Sequence, residues 1–204
     1  GWGLQPALAS VAAWPQQLLA RSALTGEVLA SLPLGDAMAQ RYGAPYATIH
    51  RADLHGLLLQ ALQQQGLAQL QLQSVVTAFA QDTAGVHVDC RLADATLQTV
   101  SAQALVGADG LWSRVRAQWP NDRPPRPTGH LAYRVLAPQK ILPLSLRSQD
   151  VTVWMGEHMH GVQYPVCAGE WLNLVVLVAS HPPADFQGWD LQRAPQEVAM
   201  DLHK

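Results

Sequence analysis

Three short stretches of this 204-residue chain hold side chains whose types and spacing could do chemistry. The first is Leu105-Val-Gly-Ala-Asp-Gly-Leu-Trp-Ser-Arg-Val-Arg116. Its apolar start, Ala104 to Val106, reads as a short buried strand. The Gly107-Ala-Asp-Gly110 that follows would put a carboxylate at the carboxyl edge of a sheet, where open α/β sheets bind ligands. Gly107 and Gly110 permit positive φ and let backbone approach a bulky ligand. Asp109 can accept hydrogen bonds from a ribose, while Ser113 and nearby helix amides favour phosphate oxygens. Without a ligand, the same residues make an ordinary strand-to-helix turn with a capping aspartate.

The second stretch is Tyr46-Ala-Thr-Ile-His-Arg-Ala-Asp-Leu-His55. Arg51 stands at a helix entry, suited to pairing with a diphosphate or polyol oxygen; the plain alternative is a surface arginine. The third is His158-Met-His-Gly-Val-Gln-Tyr-Pro165. Two histidines at i, i+2 could begin a metal site, but no third ligand sits at a usable spacing, so no metal is expected. Two satisfied histidines at a sheet edge is the bland alternative.

The elements that must position these groups follow from periodicity. Residues 2–13 carry apolar side chains at helical spacing, stopped by Pro15. Gln17 to Leu24 and Val28 to Leu32 read as a hairpin around Thr25-Gly26-Glu27. The stretch 35–47, punctuated by Gly43 and Pro45, reads as irregular. A clear helix follows, with Asp53 as its cap, Leu54, Leu57, Leu58, Ala61 and Leu62 as its apolar face, and Gly66 as its stop. Strands are expected at 68–72, 75–80, 85–91 and 96–101, and a short helix near Trp112. Pro120, Pro124, Pro125 and Pro127 mark a linker, beyond which 131–136, 151–155, 162–166 and 172–178 read as an antiparallel sheet with one buried face.

Bulk properties exclude several classes. With 49% hydrophobic and 14% charged residues, the chain is a folded protein rather than a disordered tail. A net charge of −2 with no basic run argues against nucleic acid as a partner. The apolar run Trp171 to Ala179 is about half of what a membrane-spanning helix needs. Nothing signals export. Cys90 and Cys167 show no metal-ligand spacing and read as two reduced thiols, which gives a cytoplasmic expectation. Seven tryptophans, spread over the chain, read as packing rather than as a stacking surface.

Residues 107–116 resemble the second flavin motif of the FAD-dependent aromatic hydroxylases, the salicylate, 3-hydroxybenzoate and 6-hydroxynicotinate hydroxylase group. His50-Arg-Ala-Asp-Leu54 is similar to the family's His-Arg-x-x-Leu, and His160-Gly-Val-Gln-Tyr-Pro165 to its His-x-x-x-Tyr-Pro. Gly129 to Arg134 resembles the family's entry into the substrate sheet, and Trp171 to Val175 its following strand. The resemblance implies that Arg51 contacts the ribityl and phosphate part of FAD. It places Val76 at the adenine through backbone, and Asp109 with Gly110 along the groove shared by FAD and NAD(P)H. His160 would deprotonate a substrate phenol, which makes the ring a stronger nucleophile, and Tyr164 would lie beside substrate and flavin. The implied reaction reduces the flavin with NAD(P)H, adds molecular oxygen to form a flavin hydroperoxide, and passes the distal oxygen to a small phenolic acid or hydroxypyridine.

The implied fold is α/β (α+β), a partial glutathione-reductase-like FAD/NAD(P)-binding fold with an antiparallel substrate sheet. Residues 1–44 are expected to form a helix and a hairpin that is partly substrate-side, 45–120 the middle of the FAD-binding domain, and 121–204 the substrate sheet. No Gly-x-Gly-x-x-Gly unit for the pyrophosphate is present, nor the family's late Gly-Asp motif. The abrupt start at Gly1 and the helix-like end, Glu197 to Lys204, read as cuts, with roughly sixty residues expected ahead, the size of a βαβ unit. The chain alone is therefore expected to bind FAD weakly or not at all. Two competing readings are a non-catalytic remnant or binding module of the same fold, and a related FAD hydroxylase acting on a quinone precursor or non-aromatic substrate. No oligomeric state is assigned.

Overall fold

The computed structural model describes residues 3–126 and 128–180. The helix-like end at 197–204 lies outside them. Contacts divide the chain into two units, residues 1–67 with 127–204, and residues 68–126.

The first unit is built on a six-stranded sheet. Its strands are β1 (Gln17–Ser22), β2 (Val28–Pro33), β6 (His130–Pro138), β7 (Val151–Met155), β8 (Met159–Val166) and β9 (Trp171–Ala179), in the order β2-β1-β7-β8-β9-β6. All neighbours are antiparallel except β1 and β7, which run parallel with Leu18 opposite Val151 and Ser22 opposite Met155. The early hairpin thus joins the sheet formed by the later strands. Turn chemistry explains its register: Ser22 Oγ accepts from the amides of Leu24 and Thr25, and Gly26, at φ +75°, takes the left-handed position.

Among the described residues, this unit holds the α-helices α1 (Gln5–Val11), α2 (Gly35–Tyr42) and α3 (Arg51–Gln65). Helix α2 corrects the expectation of irregular chain at 35–47. Gly43 reads as a breaker, but it is the left-handed cap, at φ +75°, of a helix that begins at Gly35, and its amide donates to the Ala39 carbonyl. Helix α3 ends at Gly66 as expected, in the left-handed conformation. Its N-cap is His50 rather than Asp53, which sits in the first turn, where a carboxylate favours the positive end of the helix. Val151, Val166, Leu172 and Val178 are buried in the sheet, with Ala12, Ala13 and Leu34 buried alongside.

The second unit carries an antiparallel meander, β3 (Val75–Gln81), β4 (Val86–Arg91) and β5 (Leu97–Ala102). Asp82 makes the first turn, its carboxylate accepting from the amides of Ala84 and Gly85 at 2.7 and 3.1 Å. Two expected strands are absent. Residues 68–72 alternate in polarity but form no ladder, and Ala104–Val106 is irregular with Val106 85% exposed. Alternation supplies an amphipathic face; a strand also needs a partner for its amides. The architecture is mixed α/β with mostly antiparallel sheets.

Candidate functional site

In the second unit, the loop 107–116 is organised by one carboxylate. Asp109 Oδ1 accepts from Ser113 Oγ at 2.6 Å, and Oδ2 from the amides of Arg114 and Val115 at 2.7 and 3.3 Å. Ser113 Oγ in turn accepts from the Arg116 amide at 3.0 Å. These amides pair with side chains instead of carbonyls, which is why only a single turn of 3-10 helix, Arg116–Gln118, forms where a helix near Trp112 was expected. The Ser113 hydroxyl, aided by the two amides, holds the Asp109 carboxyl below its usual range. A carboxylate offers about four acceptor positions. Three of these are taken by Ser113 Oγ and the amides of Arg114 and Val115.

The two glycines of the loop serve different ends. A Cβ on Gly107 would meet Val115 at 2.8 Å, so this glycine is required by the loop's own packing. Gly110 has φ +76° and nothing within 4 Å of where its Cβ would be. Its backbone is open to close approach, which fits a flat ligand such as a flavin or adenine lying along it. Arg114 extends from the loop to β3, its Nη1 donating to the Val76 carbonyl at 3.3 Å. Val76 and Asp109, two expected cofactor residues, are thereby brought together through Arg114.

The other expected residues lie in the first unit. Arg51 opens α3 and is exposed. His160 and Tyr164 both lie on β8, four residues apart, and so point to the same face at Cα positions about 13 Å apart. Val162 lies between them. Cross-strand register adds Met155 opposite His160, Leu177 opposite His160, and Asn173 opposite Tyr164. It also carries Arg134 onto this face, because Arg134 pairs with Val175 and Val175 with Val162. His160 and Arg134 are exposed and Tyr164 is half-buried.

Two motifs far apart in sequence meet through Thr48. Its buried hydroxyl donates to the Pro165 carbonyl, while its backbone exchanges hydrogen bonds of 2.8 and 3.0 Å with Ala13. The entry to α3, with Arg51, is thus anchored to the residue after Tyr164. Sequence reasoning missed Thr48 and Arg114, and it took Ser113 as a phosphate contact rather than as the partner of Asp109. Ser113 four residues after Asp109 was a legible signal; Thr48 and Pro165, 117 residues apart, offered none.

Residues 20–203 match the family model of the FAD binding domain. The chain belongs to this FAD-binding family. Among curated relatives of the FAD-binding family, it is 38% identical to 3-hydroxybenzoate 6-hydroxylase 1 of Aquipseudomonas alcaligenes, over 82% of this chain and 42% of that protein. It is 33% identical to 6-hydroxynicotinate 3-monooxygenase of Pseudomonas fluorescens, over 79% and 40% respectively. The chain thus spans less than half the length of these relatives. Among solved structures, Klebsiella pneumoniae HpxO complexed with FAD and uric acid superposes with a TM-score of 0.71 at 22% identity, covering 90% of this chain and 45% of that one. A salicylate hydroxylase substrate complex gives 0.69 at 19%, covering 98% and 51%. These two likenesses establish the shared fold, which agrees with the expected α/β architecture and its antiparallel sheet. No helix among the described residues is long and apolar enough to cross a membrane.

Proposed function

We propose that this chain serves in an FAD-dependent, NAD(P)H-using monooxygenase that hydroxylates a small aromatic substrate carrying a hydroxyl and a carboxylate. The observation that carries this reading is the common face of His160 and Tyr164 on β8 and Arg134 on β6, brought into register through β9. The relatives at 38% and 33% identity are named for rings that carry those two substituents, 3-hydroxybenzoate and 6-hydroxynicotinate. His160 is the general base for the phenol or hydroxypyridine proton, and a histidine titrates in the range where that transfer is useful. Tyr164 orients the ring. Arg134, on β6, offers a fork for the carboxylate, roughly 10 Å across two strand spacings from β8.

In the second unit, Asp109, the open backbone at Gly110 and backbone near Val76 would contact FAD; Arg51, in the first unit, is a separate proposal for its ribityl and phosphate part. When bound, FAD supplies the oxygen-activating chemistry with NAD(P)H and molecular oxygen. Residues 45–120 then contribute to the FAD-binding part and 121–204 to the substrate sheet, with the β1–β2 hairpin of residues 1–44 extending that sheet. The two free thiols, Cys90 and Cys167, fit a cytoplasmic setting. The test is His160→Ala in a full-length flavoprotein carrying this segment. Hydroxylation should fall by about 10²-fold or more while FAD stays bound; unchanged turnover would overturn the assignment.

A further inference from the structure

The turn between β8 and β9 returns Cys167 to the entry of α3, beside a histidine and a carboxylate more than a hundred residues away in sequence. Cys167 Sγ lies 3.5 Å from Asp53 Oδ2. A ring nitrogen of His50, a carboxylate oxygen of Asp53 and that sulfur all lie within 4.8 Å of one another, and all three residues are half-buried. A tetrahedral ion with metal–sulfur bonds of about 2.3 Å and metal–nitrogen or metal–oxygen bonds of about 2.0 Å has donor–donor edges of about 3.3 to 3.5 Å. The sulfur–oxygen separation already has that length, and the remaining donor separations are within 4.8 Å.

The backbone under these donors is held in place. Thr48, two residues before His50, is locked to Ala13 and Pro165, and the Ala168 amide, one residue after Cys167, donates to the Val11 carbonyl at 2.8 Å. Imidazole, thiolate and carboxylate together are the donor set of an open four-coordinate site, with water in the fourth position. Two terms oppose a cation here: the positive end of α3 and the neighbouring Arg51. Glu170 acts the other way, since its charge is felt at Cys167.

We propose that His50, Asp53 and Cys167 form a binding site for one thiophilic divalent ion, with zinc the ion whose geometry they fit. On binding, the sulfur–hydrogen bond breaks, the proton leaves to solvent and the thiolate bonds the metal. The ion would clamp the α3 entry, and with it Arg51, to the β8–β9 turn. This inference is independent of the proposed reaction. It revises the expectation that the chain has no metal ligands, which rested on sequence spacing alone.

The experiment uses the reduced, metal-free 204-residue chain titrated with cobalt(II). One equivalent should produce a thiolate-to-cobalt charge-transfer band and four-coordinate visible bands, both removed by zinc(II). Cys167→Ala should abolish the charge-transfer band. His50→Ala and Asp53→Asn should each weaken binding at least about tenfold, since even outer-shell changes have that effect. Cys90→Ser, whose thiol lies in the other unit, should bind as the parent does, and circular dichroism should show each variant folded. The proposal fails if no charge-transfer band forms, if the band depends on Cys90, or if both His50→Ala and Asp53→Asn bind as tightly as the parent.

Discussion

The hydroxyl of Thr48 donates to the carbonyl of Pro165, joining the segment that leads into α3 with the strand that carries His160 and Tyr164. Thr48 is 8% exposed, so the carbonyl has little access to water. Thr48→Val preserves the shape and removes the donor. It should destabilise the chain by about 1–3 kcal/mol, the cost of a buried acceptor left without a partner. Thr48→Ser should cost clearly less. Equal denaturation midpoints for the two variants would remove this bond as an anchor of the α3 entry.

Asp109 gives a pH prediction with a definite sign. Ser113 and the amides of Val115 and Arg114 depress its folded-state pKa. Its contribution to the order of the loop is therefore present above the unfolded value of about 3.9 and is lost as pH falls through the lower folded value. The carboxylate carbon, followed by NMR, should titrate below the ordinary aspartate range, and Ser113→Ala should move the midpoint up toward it. A normal midpoint in the parent chain would contradict the loop geometry.

Arg134 should separate substrates by charge. In a full-length flavoprotein carrying this segment, Arg134→Gln should raise KM for carboxylated phenols by about tenfold or more, the loss of one charge-assisted contact of about 1.5–3 kcal/mol. It should leave neutral phenols nearly unaffected. A uniform effect on both classes would mean that Arg134 does not read the carboxylate.

Added FAD should not load the isolated chain. The residues assigned to it belong to two contact units, and the glycine-rich helix entry that holds a dinucleotide pyrophosphate is not in this sequence. Equilibrium dialysis should find weak or no binding, and the purified chain should be colourless. A yellow, stoichiometrically loaded preparation would refute this expectation.

Cys167 should be slow to alkylate at neutral pH. Burial first, and then the Asp53 carboxylate, raise its pKa and keep the thiol protonated, and the thiolate is the reactive form. Asp53→Asn should speed modification, though only in part because burial remains. Mass spectrometry of the Cys167 peptide after timed iodoacetamide treatment reads this directly, and an unchanged or slower rate in the variant would count against the thiol–carboxylate contact.

What the sequence by itself determined was local. The strand-like runs at 151–155 and 172–178 and the Gly66 stop are short-range steric and hydrogen-bonding preferences, and the corresponding elements lie where they were read; the hairpin at Thr25-Gly26-Glu27 is there too, with its first strand ending at Ser22 rather than Leu24. The ten-residue run from Gly107 to Arg116 was enough to point to the FAD-binding family, because a contiguous loop carries its contacts in its own order. Tertiary structure decided the rest. Gly43 has the same local signature as a loop breaker and as a helix end, and only packing selects between them. Residues 68–72 have the pattern of a strand but no ladder partner. Arg134 reaches the face of His160 only through the register of three strands. Cys167 meets Asp53 across 114 residues because one turn brings the sheet back to a helix entry, and such closure depends on the energetics of the whole unit rather than on any spacing within the chain.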